Sequence, residues 1–448
     1  MINDPVKTIR AVVLMSFAAM LCAADAPAAD RAPDRPRLET ARARELHNLA
    51  VEIAASSQIA ATKAEMKVLM QRDPQAKTPD GQARLTSALD EITMSFILQS
   101  MTFDTQHPQL IWWNNPPYAV NGETIPGSRF ALDNPDNINQ IASLDPTETY
   151  EIRGQRSGTG PTQVSFVVYQ AYLINDGPPS GATEEARLVD PKVSPDGNYT
   201  ITIGPGPANG RKNYIQNSST GRFLLVRQTL SDWSQQDPDI LEIRRSSPSA
   251  AAYPTRQDYT QEAVRLIKKG FPYWLNFQNR SVFSQPANAL PRSILVPGWR
   301  FIAMGHFHLK PDEALIVSVN SLDARYVALE AADPWMRSLE AIHQSGSLNS
   351  MQAQPNEDGT YTFVVSAVDP GVHNWIDADG LMTGSLFLRW QGFPGQPPEN
   401  AEPIRSVMVA KLNQLKARLP AGTVMVSTLE RQKQLSRRAA TWQRRVLP

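Results

Sequence analysis

Two stretches of this chain, set 162 residues apart, read as two copies of one β-rich unit, and this duplication constrains the fold more than any other feature. In the first copy Asp196-Gly197-Asn198-Tyr199-Thr200-Ile201-Thr202-Ile203 is followed by Asn213-Tyr214, Gly221 and Phe223-Leu224-Leu225-Val226-Arg227. In the second, Asp358-Gly359-Thr360-Tyr361-Thr362-Phe363-Val364-Val365 is followed by Asn374-Trp375, Gly384 and Leu386-Phe387-Leu388-Arg389. The spacing is the same at the Asp-Gly turn and at the arginine, so the register holds across both strands. Upstream, Leu144-Asp145-Pro146-Thr147-Glu148 matches Leu309-Lys310-Pro311-Asp312-Glu313. A repeat of this length predicts two similar domains packed together, with a ligand site at or near their junction.

A chain of 448 residues is long enough for two or three domains with cores of their own. Its formal net charge of zero gives no global field that would favour nucleic acid or an anionic membrane. At the N-terminus, Lys7 and Arg10 precede an apolar run from Ala11 to Ala24, and Ala24-Asp25-Ala26 offers small residues for cleavage. That layout predicts a secretory signal peptide and a periplasmic or secreted protein; a buried N-terminal helix is the competing reading. Cys22 is the only cysteine. Leu21 before it argues against lipidation, and the mature chain would lack disulfides, thiol nucleophiles and cysteine-bound metals. No later segment reaches the roughly 18 continuous apolar residues that a spanning helix needs, so no stable membrane insertion is expected.

Helical spacing of Leu46, Leu49, Ile53, Ile59, Met66 and Met70, then of Leu85, Leu89, Ile92 and Phe96, predicts a helical pair that packs on, or caps, the downstream part of the chain. Beyond His107-Pro108 the runs are short, β-branched and aromatic, and the Asp-Gly pairs at 196–197 and 358–359 predict hairpin turns. A helix over Asp258–Lys269, stopped at Gly270, interrupts the strands. The tail reads as helix over Arg405–Leu419 and again over Glu430–Arg445, the latter with six Lys/Arg against one Glu. We expect that basic helix to pack along the sandwich rather than meet an anionic partner. The expected class is mainly β, two tandem jelly-roll-like antiparallel β-sandwiches with N-terminal and C-terminal helices. The segments are a signal peptide (1–26), a leader and helical pair (27–100), a first β-sandwich (101–250), a helical connector (251–292), a second β-sandwich (293–400) and C-terminal helices (401–448).

The densest chemistry lies in Asp369-Pro370-Gly371-Val372-His373-Asn374-Trp375-Ile376-Asp377. Pro-Gly sets a tight turn that presents Asp369, His373 and Asp377 as catalytic candidates, since a carboxylate beside an imidazole can do acid–base work. Asn374 and Trp375 can hydrogen-bond and stack on a sugar ring. The competing reading is a loop whose Asp369 and Asn374 hold their own backbone, because the first copy keeps Asn213 and Tyr214 but no counterpart of His373. Arg389, Trp390, Trp112 and Trp113 complete the binding candidates; a repeated arginine such as Arg227 and Arg389 also fits a structural ion pair. His306 and His308 alternate onto one strand face, half of a divalent-metal site. Nothing in the spacing supplies the other half, so no metal and no cofactor are expected. Nucleophile elbow, phosphate loop and dinucleotide fingerprint are all missing from the sequence.

Asp312-Glu313-Ala314-Leu315, Ala324-Arg325-Tyr326, Ser347-Leu348-Asn349, Asp358-Gly359, the Asp369–Asp377 block, Gly384 and Arg389-Trp390 together resemble the bacterial family filed as domain of unknown function 1214. Asp133-Asn134-Pro135-Asp136 is similar to that family's lead-in to the first sheet. The resemblance covers roughly residues 100–448. It implies a jelly-roll-like sandwich preceded by a related one (domain of unknown function 1254), and it implies no activity. Three functions remain open at this level. One is an exported protein that binds or cleaves a glycan or similar polyhydroxylated molecule, with Asp369 and Asp377 as its carboxylates. Another is a non-catalytic interaction protein of the envelope. The third is an isomerase, hydratase or lyase acting on a small apolar metabolite, with Trp112, Trp113, Trp335, Trp375 and Trp390 lining a pocket. The expected partner is a small molecule or glycan rather than nucleic acid; the sequence leaves the oligomeric state open.

Overall fold

The computed structural model describes residues 39–446 apart from 121–122, 132, 171–183, 292–293, 297–299 and 396–399. The expected signal peptide, with Cys22, lies outside the described residues. Three helices open the fold: α1 (Ala41–Ala54), α2 (Ser57–Arg72) and α3 (Pro79–Ser100). Each begins at a hydroxyl that accepts an otherwise orphaned backbone N–H, from Ala43 at Thr40, Ile59 at Ser56 and Gly81 at Thr78. The expected pair is therefore a trio, because Ser56 starts a new helix inside one continuous apolar pattern.

The first copy contributes β1 (Ile111–Trp113), β2 (Tyr118–Val120), β3 (Glu123–Ile125), β4 (Asn137–Ser143), β5 (Tyr150–Gln155), β6 (Gln163–Tyr169), β7 (Glu184–Val189), β8 (Asn198–Gly204), β9 (Tyr214–Gln216), β10 (Phe223–Thr229) and β11 (Ile240–Arg245). After α4 (Arg256–Gln278), the second contributes β12 (Ile294–Val296), β13 (Arg300–His308), β14 (Glu313–Val319), β15 (Tyr326–Ala332), β16 (Ser347–Asn349), β17 (Tyr361–Ser366), β18 (Trp375–Asp377), β19 (Thr383–Gln391) and β20 (Ile404–Lys411). Helix α5 (Thr428–Val446) closes the chain.

The duplication is legible strand by strand. The first copy stacks a five-stranded sheet, β1-β4-β10-β6-β7, on a four-stranded one, β11-β5-β8-β9. The second repeats this order as β12-β13-β19-β15-β16 on β18-β17-β14-β20. Pairing is antiparallel except for β8 with β9 and β17 with β18, which are parallel in both copies. The architecture is mainly β, two jelly-roll-like sandwiches with helices at both ends.

Both five-stranded sheets are covered on both faces, which explains why β6 and β15 are buried at every position. In β6, Val164, Phe166 and Val168 fill the first sandwich, while Val167 and Tyr169 face the helices. In β19, Leu386, Leu388 and Trp390 fill the second sandwich, and Phe387 joins the helical core. That core collects Phe96, Phe271, Trp274 and Trp335 with residues of both large sheets, so the helices are a shared layer between the copies.

Two helical expectations are corrected. Helix α4 does not stop at Gly270 but runs on to Gln278, through Pro272. Gly270 is small because the Phe96 ring occupies the space a Cβ would need, its Cζ only 1.9 Å away. Residues 405–419 are not a helix: β20 pairs with β14, closing the four-stranded sheet as β11 does in the first copy, and a short 3₁₀ turn over Leu412–Ala417 follows. Ile404, Val407 and Val409 suit a strand, and an available sheet edge decides between the two.

Candidate functional site

The loop after β17 is built by its own polar groups. The Asp369 carboxylate accepts the Gly371 N–H at 2.9 Å, and Gly371 takes φ 72°, a conformation suited to glycine. Asp369 then holds Arg431 of α5 through two contacts, Nε–Oδ2 at 2.9 Å and Nη2–Oδ1 at 3.2 Å. The same guanidinium donates to the Val372 carbonyl and covers the Trp375 ring at 5.1 Å. Asp369 thereby anchors the C-terminal helix to the loop.

Asn374 is a brace. Its carboxamide donates to the carbonyls of Gln354 (2.8 Å) and Thr362 (3.0 Å) and accepts the Gln354 N–H (2.8 Å). Asn213 does the same for Lys192 in the first copy, donating at 2.8 Å and accepting at 2.7 Å. Lys192 and Gln354 stand at the spacing of the repeat, so one amide staples one backbone position twice. Asn374 is buried and Asn213 is half-buried. Asn374→Ala is expected to cost about 2–3 kcal/mol in urea unfolding, and Asn213→Ala about 1 kcal/mol. An unchanged midpoint for Asn374→Ala would show that the amide braces nothing.

His373 is the loop residue that opens onto a cavity. Its Nδ1 lies 3.2 Å from the Asn374 carboxamide oxygen, which can only accept, so Nδ1 carries the proton and Nε2 is the acceptor. Burial lowers its pKa, and nearby Arg431 adds to the shift, so the ring is neutral at neutral pH. Beside it, α5, the second sandwich and the 231–234 loop of the first copy enclose a cleft of about 340 Å³. Gln352, Gln354, Gln434 and Ser345 supply amides and a hydroxyl; Leu348, Met351 and Leu435 supply apolar surface. The Ser345 hydroxyl is buried and has no hydrogen-bond partner among the described residues. Arg438 also lines the cleft, donating to Ala341 O, Gln352 Oε1 and Ser347 Oγ and lying 4.4 Å over the Trp233 ring. Arg431, Arg438 and Arg445 are spaced by seven, which puts all three on one face of α5. The basic helix thus packs along the sandwiches, through arginines bound to backbone carbonyls.

The other candidates are dispersed. Burial raises the Asp377 pKa to about 6; its Oδ1 accepts the Asp379 N–H, and it does not line the cleft. Trp390 is fully buried and donates to the Asn320 carbonyl. Trp375 donates to Ser366 O, and Trp113 to Ser95 O. Trp112 packs with Ile138 and Leu230. His306, with Nδ1 3.2 Å from the Val282 carbonyl, and His308, near Thr383 Oγ1, share a strand face. Among the described residues no group of three His, Cys, Asp or Glu side chains is placed to hold a metal ion.

Arg389 lies elsewhere, in a second cavity between the two five-stranded sheets. Its guanidinium pairs with Glu330 of β15, both buried. Burial pushes Glu330 up to about 8, against the opposing pull of Arg389. The segment Asp133–Asn137 forms the hub of this junction. Asp133 accepts the Ser338 N–H and O–H, and Asp136 accepts Tyr326 Oη–H (2.7 Å), Trp233 Nε1–H (2.8 Å) and Asn349 Nδ2–H (2.8 Å). By sequence this segment reads as turn chemistry with room for a polar role, and the family resemblance makes it a lead-in to the first sheet; neither makes it a hub. A signal is nonetheless present: four Asp and Asn residues around one proline, directly before a buried strand.

No family model matches the chain, and no curated protein matches it. Among solved structures, it is similar over 81% of its length to an uncharacterised protein from Burkholderia cenocepacia, of which 99% is covered, at 23% identity and a TM-score of 0.61. A protein from Vibrio parahaemolyticus aligns over 62% of the chain and 90% of its own length, at 12% identity and a TM-score of 0.37. The Burkholderia structure shares the fold. Among the described residues, no helix is long and apolar enough to cross a membrane.

Proposed function

We propose that this chain is an exported two-sandwich protein, a divergent relative of the family it resembles in sequence, that binds a polyhydroxylated small molecule in the cleft beneath α5. The observation that supports this most is the cleft lining: three carboxamides, the bare His373 Nε2 and the unpartnered Ser345 hydroxyl around a volume of about 340 Å³. Alternating donors and acceptors beside a small apolar patch suit a ligand with many hydroxyls. Binding rather than cleavage is the reading the carboxylates favour. Glycosidic cleavage ordinarily uses two carboxylates across a cleft. Here Asp369 is engaged by Arg431, Asp377 stands off the lining, and the one carboxylate that lines the cleft among the described residues, Asp232, accepts from Ser234 N and Oγ.

The test is a calorimetric and thermal-shift screen of the full chain against neutral and acidic mono- and oligosaccharides, repeated with Ser345→Ala and His373→Phe. Ser345→Ala removes a buried hydroxyl without a partner, so it is expected to keep stability while weakening binding about tenfold. Binding of no saccharide, or equal binding by both variants, would sink the reading. Turnover that Asp369→Ala and Asp377→Ala abolish would instead restore cleavage.

A further inference from the structure

The walls of the cleft beneath α5 differ in what they offer a ligand. A carboxamide brings donor and acceptor together, but the arginines of α5 unbalance two of the three. Arg438 donates to Gln352 Oε1 at 2.9 Å, and the Asn349 N–H reaches the same oxygen at 3.2 Å. Arg431 donates to Gln434 Oε1 at 2.6 Å. With its oxygen taken, each amide keeps its NH₂ group for other partners. The buried Ser345 hydroxyl, without a partner among the described residues, can donate as well. Gln354 remains balanced, and the acceptors proper are His373 Nε2 and the Asp232 carboxylate, which already receives Ser234 N and Oγ. Trp233 is the one indole of the lining among the described residues. It is buried, with Arg438 4.4 Å and Arg445 4.9 Å from its ring centroid. A sugar therefore finds no open indole face to stack on, and polar and charged contacts must carry its recognition.

The three arginines of the lining are not equivalent. Arg431 is held by Asp369, which lies outside the lining. Arg438 is buried and bonds neutral acceptors, Ala341 O, Gln352 Oε1 and Ser347 Oγ. Asp136 and Glu340 act on it only from a distance, and burial outweighs them, taking its pKa down to about 10. Arg437 is exposed, and its guanidinium makes no ion pair or hydrogen bond with any described residue. Gln434, Arg437, Arg438 and Thr441 follow at spacings of three and four, which lays them along one face of α5. We propose, resting on the saccharide reading of this cleft, that its ligand is an acidic sugar, a uronate or aldonate, whose carboxylate binds Arg437 and the Gln434 amide. Its hydroxyls then meet His373 Nε2 and Ser345, which the second copy supplies. A guanidinium fork matches a carboxylate in shape and charge, and an exposed one sacrifices no existing ion pair to bind it. The volume of about 340 Å³ lies at the small end of ligand sites, roughly 300–1,000 Å³, and suits a compact sugar acid.

The experiment is titration calorimetry of the full chain at pH near 7.5 and fixed ionic strength, with each acid set against its neutral counterpart. The pairs are glucuronate with glucose, galacturonate with galactose, and gluconate with glucitol. At least one acid is expected to bind about tenfold or more tightly than its partner. Arg437→Gln is expected to shrink that ratio to below about threefold. Lys433→Gln removes the same charge from an exposed position of α5 outside the lining, and is expected to keep the ratio. Glutamine is a good helix former, so both variants are expected to fold. Ser345→Ala weakens acid and neutral sugar alike, and so reports on the cleft rather than on the carboxylate. Equal binding of acids and neutral sugars overturns the proposal while the saccharide reading stands. An acid preference that Arg437→Gln leaves intact, or that Lys433→Gln lowers as much, overturns it too, since the helix then acts through its general field. Binding of neither class up to roughly 20 mM removes the saccharide reading itself, and this inference with it.

Discussion

Trp335→Ala is expected to destabilise the chain by about 3–5 kcal/mol in urea unfolding, followed by far-UV circular dichroism. Trp335 is fully buried in the helical layer, and its indole N–H donates to the Gly81 carbonyl at 2.9 Å. Asp333 sets the turn that projects it, accepting the Trp335 and Arg337 N–H groups. Arg337 of the same turn reaches Glu91 of α3 at 2.7 Å. A side chain of the second copy is thus the peg that seats it on α3. Residues of α3 and α4 both bond Trp335, through the Gly81 carbonyl and the Trp274 indole, so the cavity cost adds to the lost transfer energy. Trp335→Phe keeps most of the volume but drops the hydrogen bond, and a smaller loss of about 1–2 kcal/mol is expected. A loss below about 1 kcal/mol for Trp335→Ala would mean that the helical layer does not hold the second copy in place.

The repeat is legible in the sequence because alternation and turn chemistry are local. Asp196-Gly197 and Asp358-Gly359 place a glycine at φ 84° and 78°; β8 after the first alternates exposed and buried positions, whereas β17 after the second is buried along nearly its whole length. Asn213 and Asn374 are visible as a repeated residue; their shared role needs the backbone at Lys192 and Gln354 that each one braces. Non-local choices are not legible. Ile404–Lys411 becomes a strand because β14 offers an edge, and α4 passes Gly270 because Phe96 arrives from α3. Spacing presents Asp369–Asp377 as a unit, whereas the fold disperses it. Asp369 turns to Arg431, Asn374 to backbone, and His373 to a cleft whose other walls come from residues 231–234 and 345–354 and from α5. Spacing along one loop cannot report walls contributed from 142 residues earlier, at Ser231, or 58 later, at Arg431. The Asp133–Asn137 hub escapes for the same reason, since its partners Tyr326, Ser338 and Asn349 belong to the other copy.

Arg389→Met is the other substitution with a large expected effect, about 2–4 kcal/mol, because it leaves the Glu330 carboxyl in the interior without its partner and removes the packing of the guanidinium. Both side chains are buried, and the guanidinium is the partner that restrains the rise of the Glu330 pKa. The pair carries a pH signature. The folded-state pKa of Glu330 is raised from the ordinary 4.5 to about 8, so between those values the native state binds more protons than the unfolded chain. Its contribution is fully present below about pH 4.5 and is lost as pH rises through about 8, with a slope of at most ~1.4 kcal/mol per pH unit. Wild type is therefore expected to lose stability from pH 6 to pH 9, and Glu330→Gln to lose less. Arg389→Met removes the restraining charge, so its folded-state pKa climbs further and the loss extends to higher pH. Replacing both, as Arg389→Met with Glu330→Leu, removes the stranded polar carboxyl and is expected to recover most of the single-variant cost. If the double variant is as unstable as Arg389→Met alone, and Glu330→Gln keeps the full pH slope, the arginine acts through packing rather than through its carboxylate. A recovered double variant would show that Arg389 acts through its own strand neighbour, Glu330.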